Sequence, residues 1–155
     1  MSTFQLFSLK GRRALVTGSS QGIGFGLAVG LAQAGAEVVL NGRDKKKLDE
    51  AVAVLKAKDH RAFGKAFDVT NKADVQNSID QIEHKIGPID ILFNNAGMQF
   101  RTPLEDYPDE KFDELLRVNI KSVFLVGQAV ARHMITRKKG KIINICSVQS
   151  ELGRP

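Results

Sequence analysis

Two patterns alternate along the chain. Short β-branched or apolar runs at Arg13 to Thr17, Glu37 to Asn41, Arg61 to Asp68, Ile89 to Asn94 and Lys141 to Ser147 predict five strands. Between them, apolar positions recur at helical steps: Ile23, Leu27 and Leu31, then Leu48, Val52 and Leu55, then Val75, Ile79, Ile82 and Ile86. Each set predicts one helical stripe turned toward a core. The third helix should stop at Gly87, which can take a left-handed C-terminal position, ahead of Pro88, which cannot continue a helix. A fourth and longer helix is predicted from Asp109 to Arg137.

Strands joined by single helices predict a parallel sheet covered on both faces, because right-handed crossovers leave few other solutions. The expected fold class is therefore α/β, a doubly wound Rossmann sheet with five strands present. In such sheets ligands bind outside the carboxyl ends of the strands, so candidate chemistry is sought in the residues just after each one.

At 155 residues the chain suffices for one domain, read as a single unit over 1–155. A hydrophobic share of 43% with 14 Gly and 4 Pro excludes disordered and collagen-like classes. The net charge of +6 comes from 23 Lys and Arg against 17 Asp and Glu. Its densest basic runs, Lys45 to Lys47 and Arg137 to Lys141, carry no interleaved aromatics for base stacking, so no nucleic-acid partner is expected. A single cysteine, Cys146, excludes an internal disulfide framework and reads as a small strand residue. His60, His84 and His133 lack ligand spacing, so no structural metal is expected. Met1 to Gly11 has no signal-peptide profile and no apolar run reaches ~18 residues, which predicts a cytoplasmic protein with no membrane partner.

After the first strand comes Thr17-Gly18-Ser19-Ser20-Gln21-Gly22-Ile23-Gly24, opening a helix. Glycines there allow a tight turn and close backbone approach, and the helix N-terminus supplies amide donors and positive potential for a diphosphate. The spacing resembles the cofactor motif of the short-chain dehydrogenases/reductases. Four further segments match that family in order: Asp68-Val69 after the third strand, Asn94-Asn95-Ala96-Gly97 after the fourth, Val118-Asn119-Ile120 on the long helix, and Ser147 at the end of the fifth strand. Longer stretches, including Phe7-Ser8-Leu9, Asn41-Gly42-Arg43-Asp44, Gly127 to Ile135 and Asn144 to Leu152, look most like the members that act on sugar acids.

The resemblance implies reversible hydride transfer between a nicotinamide cofactor and a carbinol carbon of a sugar-acid or keto-acid substrate. It assigns Gly18, Ser20, Gln21, Gly22, Ile23, Gly24, Asp68, Val69, Asn95, Ala96 and Gly97 to the cofactor. Ser147 would hydrogen-bond the substrate oxygen, and Asn119 would hold a water that links the catalytic lysine to solvent. After the second strand an acid suits NAD and an arginine suits NADP. Arg43 there favours NADP(H), while Asp44 and Gln21 leave NAD(H) open. Arg101, just beyond Gly97, reads either as a bidentate partner for a substrate carboxylate or as a surface arginine. Relatives are commonly homotetramers.

In the family the proton donor belongs to a Tyr-x-x-x-Lys motif on the helix after the serine, a position past Pro155. The expectation is a fold whose C-terminal part is missing, which exposes apolar surface and has no dehydrogenase activity by itself. A non-catalytic NADP(H)-binding module is the rival reading. Tyr107 and Lys111 match the motif literally. Pro108 disfavours helical backbone at Tyr107, however, so the one-turn stacking that would pair them is not expected.

Overall fold

The computed structural model describes residues 6–147, so the part of the resemblance at Val148, Gln149, Ser150, Glu151 and Leu152 lies outside the described residues. Five parallel strands form one sheet in the order β3-β2-β1-β4-β5. They are β1 (Arg13–Val16), β2 (Glu37–Gly42), β3 (Ala62–Ala66), β4 (Ile91–Asn94) and β5 (Lys141–Asn144). The sequence order reverses between β1 and β4, where a doubly wound sheet opens a crevice.

Alternation along the strands feeds two cores. Ala14, Val16, Val38 and Leu40 face α1 (Gly22–Gln33) and α2 (Lys45–Lys56), while Leu15, Val39 and Leu92 face α3 (Lys72–Gln81) and a later helix, α5 (Ser122–Thr136). Both faces of the sheet are thus covered at β1 and β2, as the Rossmann reading requires. Among the described residues, no helix is long and apolar enough to cross a membrane.

Several expectations need correction. In α1 the fully buried positions are Gly24, Ala28 and Ala32, not Ile23, Leu27 and Leu31, and Ile23 is 75% exposed. Small residues bring this helix close to the sheet, so the bulky stripe beside them is left half covered. The predicted helix from Asp109 to Arg137 is interrupted: α4 (Asp109–Leu116) runs into a π-helical turn, Arg117–Lys121, before α5. There Ser122 N donates to Arg117 O, one residue farther back than in an α-helix. A second π turn, Ile82–Ile86, extends α3 to Gly87. Gly87 does have a positive φ, +128°, but its ψ of −178° is extended and not left-handed helical. The strands at Arg61 and Ile89 start later than predicted, and β5 stops at Asn144, so Ser147 lies three residues beyond its strand. All four β5 residues are exposed, as are Ile145, Phe124 and Ile135. Exposed apolar surface was expected, and among the described residues it includes these positions.

Arg137 ties the far ends of these elements together. It donates to both oxygens of Glu83, at 2.8 and 3.0 Å, and to Ile89 O at 2.6 Å, while Glu83 Oε1 accepts from Ile89 N at 3.0 Å. The end of α5, the π turn after α3 and the approach to β4 are fixed as one unit.

Candidate functional site

At the carboxyl ends of β1, β2, β3 and β4 lies a cleft of about 760 Å³. It is lined by every residue that the sequence assigned to a cofactor: Gly18, Ser20, Gln21, Gly22, Ile23, Gly24, Arg43, Asp68, Val69, Asn95, Ala96 and Gly97. Their convergence follows from the parallel topology, which delivers the turn after each of these strands to the same side.

The loop after β1 is held from two sides, by the residues after β4 and by β2. Thr17 Oγ1 accepts from Asn95 N at 2.9 Å and Ala96 N at 3.0 Å, and Asn95 Nδ2 returns to Thr17 O at 3.0 Å and Gly18 O at 3.2 Å. From β2, buried Asn41 accepts from Gly18 N with its side chain at 3.2 Å and donates to Phe67 O at 3.1 Å. A Cβ on Gly24 would stand 2.4 Å from both Asn95 Nδ2 and Gly18 O. A Cβ on Gly18, whose φ is +61°, would meet Ala96 Cα at 2.9 Å. The turn, the start of α1 and the loop after β4 can therefore pack this closely only because these positions have no side chains.

Helix α1 opens on this loop with no side-chain cap at Gln21, whereas Asp44 caps α2 and Asn71 caps α3. Its first amides are left for a bound acceptor, and the helix dipole favours an anion there. Farther along the cleft, Arg43 and Lys47 make no ion pair among the described residues. This end therefore holds two cations whose side chains are not tied up by a carboxylate, with Asp44 and Asp68 also in the lining.

Asp68 stands at the edge of the cleft after β3. Burial acts to raise its pKa. Hydrogen bonds from Thr70 N and Oγ1, both 2.8 Å, with the charges of Arg43 and Arg117, outweigh burial and hold the carboxyl below its ordinary value.

Asn119 lies in the π turn and clasps the backbone of Met98, accepting from its N at 2.8 Å and donating to its O at 2.9 Å. The side chain thereby pins the loop after Asn95-Ala96-Gly97. Ser147 is exposed and lies two residues beyond Ile145, which lines the cleft. Arg101 lies outside the cleft lining, exposed, with its guanidinium 3.4 Å from Gln99 Oε1. Tyr107 and Lys111 do not pair: Tyr107 has extended backbone and packs edge-on against Phe100, while Lys111 Nζ bonds Glu114 at 2.9 Å.

Thr70 and Arg117 were not named from sequence, while Asn41 was read only within a matched stretch and Lys47 only within a basic run, neither with a role in the site. A polar residue ending an apolar strand could have flagged Asn41. The link between Arg117 and Thr70 spans 47 positions and has no local signature.

Comparison with known proteins agrees with this geometry. A family model described as short chain dehydrogenase matches residues 12–155. The whole chain is 57% identical to 60% of the gluconate 5-dehydrogenase of Gluconobacter oxydans. Over 96% of its length it is 48% identical to 59% of the 5-keto-D-gluconate 5-reductase of Escherichia coli. A crystal structure of a gluconate 5-dehydrogenase from Burkholderia cenocepacia, in complex with NADP and tartrate, superposes with a TM-score of 0.95 at 51% identity, covering 99% of this chain and 60% of that one. The chain thus spans about 60% of the length of these relatives.

Proposed function

The chain belongs to the short-chain dehydrogenase family, and on that ground we propose that it is the cofactor-binding portion of an NADP(H)-dependent oxidoreductase that interconverts D-gluconate and 5-dehydro-D-gluconate. The observation that carries this reading is the uncapped N-terminus of α1, opening on a glycine-lined turn at the switch point of the sheet. Relatives named for gluconate chemistry, at 48% and 57% identity, support the substrate class.

Bound NADP(H) would supply the hydride at its nicotinamide ring. The residues suit such a group, because the amides that open α1 carry no side-chain cap and can receive a diphosphate, and because Gly18 and Gly24 let the turn pack tightly against the loop after β4. Arg43 would pair with the 2′-phosphate, which NAD(H) lacks. Asp68 and Val69 would meet the adenine, and Asn95, Ala96 and Gly97 would form the wall beneath the nicotinamide half. Asn119 keeps that wall in place through Met98. Ser147 would donate a hydrogen bond to the substrate oxygen and hold it for proton transfer, and Arg101 is the guanidinium offered to the substrate carboxylate. The proton itself belongs to a Tyr-x-x-x-Lys pair that Tyr107 and Lys111 do not provide. The 155-residue chain alone is therefore expected to bind cofactor without turning over substrate.

Titration calorimetry with NADPH and NADH tests the reading. NADPH should bind at least about tenfold more tightly, and Arg43→Ala should remove that preference. Equal affinity for the two nucleotides in the unmodified protein would overturn the NADP(H) assignment, and 5-ketogluconate reduction by the 155-residue chain alone would overturn its predicted inactivity.

A further inference from the structure

Arg117 begins the π turn and reaches away from it, its Nη1 donating to Thr70 Oγ1 at 3.0 Å. A threonine hydroxyl has one hydrogen. With its oxygen accepting from a guanidinium, that hydrogen is directed to Asp68 Oδ1 at 2.8 Å, where Thr70 N also donates at 2.8 Å. Asp68 N is fixed in turn by Asp74 Oδ2 at 2.8 Å. One carboxylate oxygen is thus doubly occupied. The other, Oδ2, has no hydrogen-bond partner among the described residues, and Asp68 is one of the residues lining the cleft. A held carboxylate with one open oxygen is built to receive an N–H donor from a ligand.

We propose that Arg117 is a positioning residue for adenine recognition: acting through the Thr70 hydroxyl, it orients the Asp68 carboxylate so that Oδ2 accepts a hydrogen bond from the exocyclic amine of the purine. The inference rests on the reading of this cleft as an NADP(H) site. It also gives the π turn two holds across the sheet, Arg117 on the turn after β3 and Asn119 on the loop after β4.

The test compares NADPH with its deamino analogue, in which a carbonyl oxygen replaces the purine amine. It uses the full-length protein, its Arg117→Met, Thr70→Val and Thr70→Ser variants, and the double variant that combines Arg117→Met with Thr70→Val. Both affinities are measured on the same sample, so loss of folded protein cancels in their ratio. Wild type should prefer NADPH. Arg117→Met and Thr70→Val should each weaken NADPH binding about three- to tenfold, leave the analogue unchanged, and lose no more when combined, whereas Thr70→Ser should keep the preference. Equal weakening of both nucleotides, additive losses, or an unaltered NADPH affinity in Arg117→Met would overturn the proposal. If the wild type binds neither nucleotide, the cofactor reading fails and this inference falls with it.

Discussion

Gly24 has no room for a side chain, since a methyl would stand 2.4 Å from Asn95 Nδ2 and from Gly18 O. In most helices replacing glycine by alanine stabilises the backbone by up to about 1 kcal/mol. Here overpacking dominates, and Gly24→Ala should cost roughly 2 kcal/mol or more, read as a lower denaturation midpoint, and abolish NADPH binding. Asp68 gives a prediction in pH. Its folded pKa lies below the unfolded value of about 3.9, so its stabilising contribution is complete above that value and is lost as pH falls through the lowered pKa. Asp68→Asn should leave stability less dependent on pH below about 4 in acid titrations followed by circular dichroism. The glycines of the cleft were legible in the sequence because a tight turn is a local demand. Asn41 and Arg117 were not, because what they hold is supplied by neighbouring strands and turns that only the folded sheet brings near.

Among the elements, the junction of α5, the π turn after α3 and the start of β4 depends on one ion pair. The Glu83 side chain is 6% exposed and Arg137 is its bidentate partner. Arg137→Met leaves that carboxylate buried without a counter-charge and should cost about 3 kcal/mol, measured by urea unfolding. Replacing Glu83 by Gln in the same background should recover part of the loss. The strands and the first three helices could be read from apolar spacing, with errors at the ends where polar turn residues begin. The buried face of α1 could not. Hydrophobicity points to its bulky side chains, whereas close contact with the sheet selects its small ones, Gly24, Ala28 and Ala32. Spacing also concealed the π turns, since steps of three and four tolerate one inserted residue.

At the scale of the molecule, one row of exposed apolar side chains stands out. Phe112, Leu116, Ile120 and Phe124 are each more than 40% exposed and succeed one another in steps of four, and β5 exposes Ile142 and Ile143, one on each face of the strand. We propose that the helical stripe is used in a homotetramer of this protein. Ile120→Glu with Phe124→Glu should lower the mass measured by sedimentation, while an unchanged tetramer would exclude the stripe from its interface. The unsubstituted 155-residue chain, tested alone, should bind a hydrophobic dye at its uncovered β5 face.

The stripe owes its straightness to the interruption beneath it. In an α-helix, residues four apart overshoot a full revolution by about 40°, so a row built on steps of four winds steadily around the axis. A turn closed one residue farther back takes more residues per revolution and subtracts from that winding. Arg117–Lys121 inserts such a turn midway between Phe112 and Phe124. The irregularity that aims Arg117 and Asn119 toward the cleft thereby also resets the angular phase of the helix, and keeps on one line four side chains that an unbroken helix would have fanned apart.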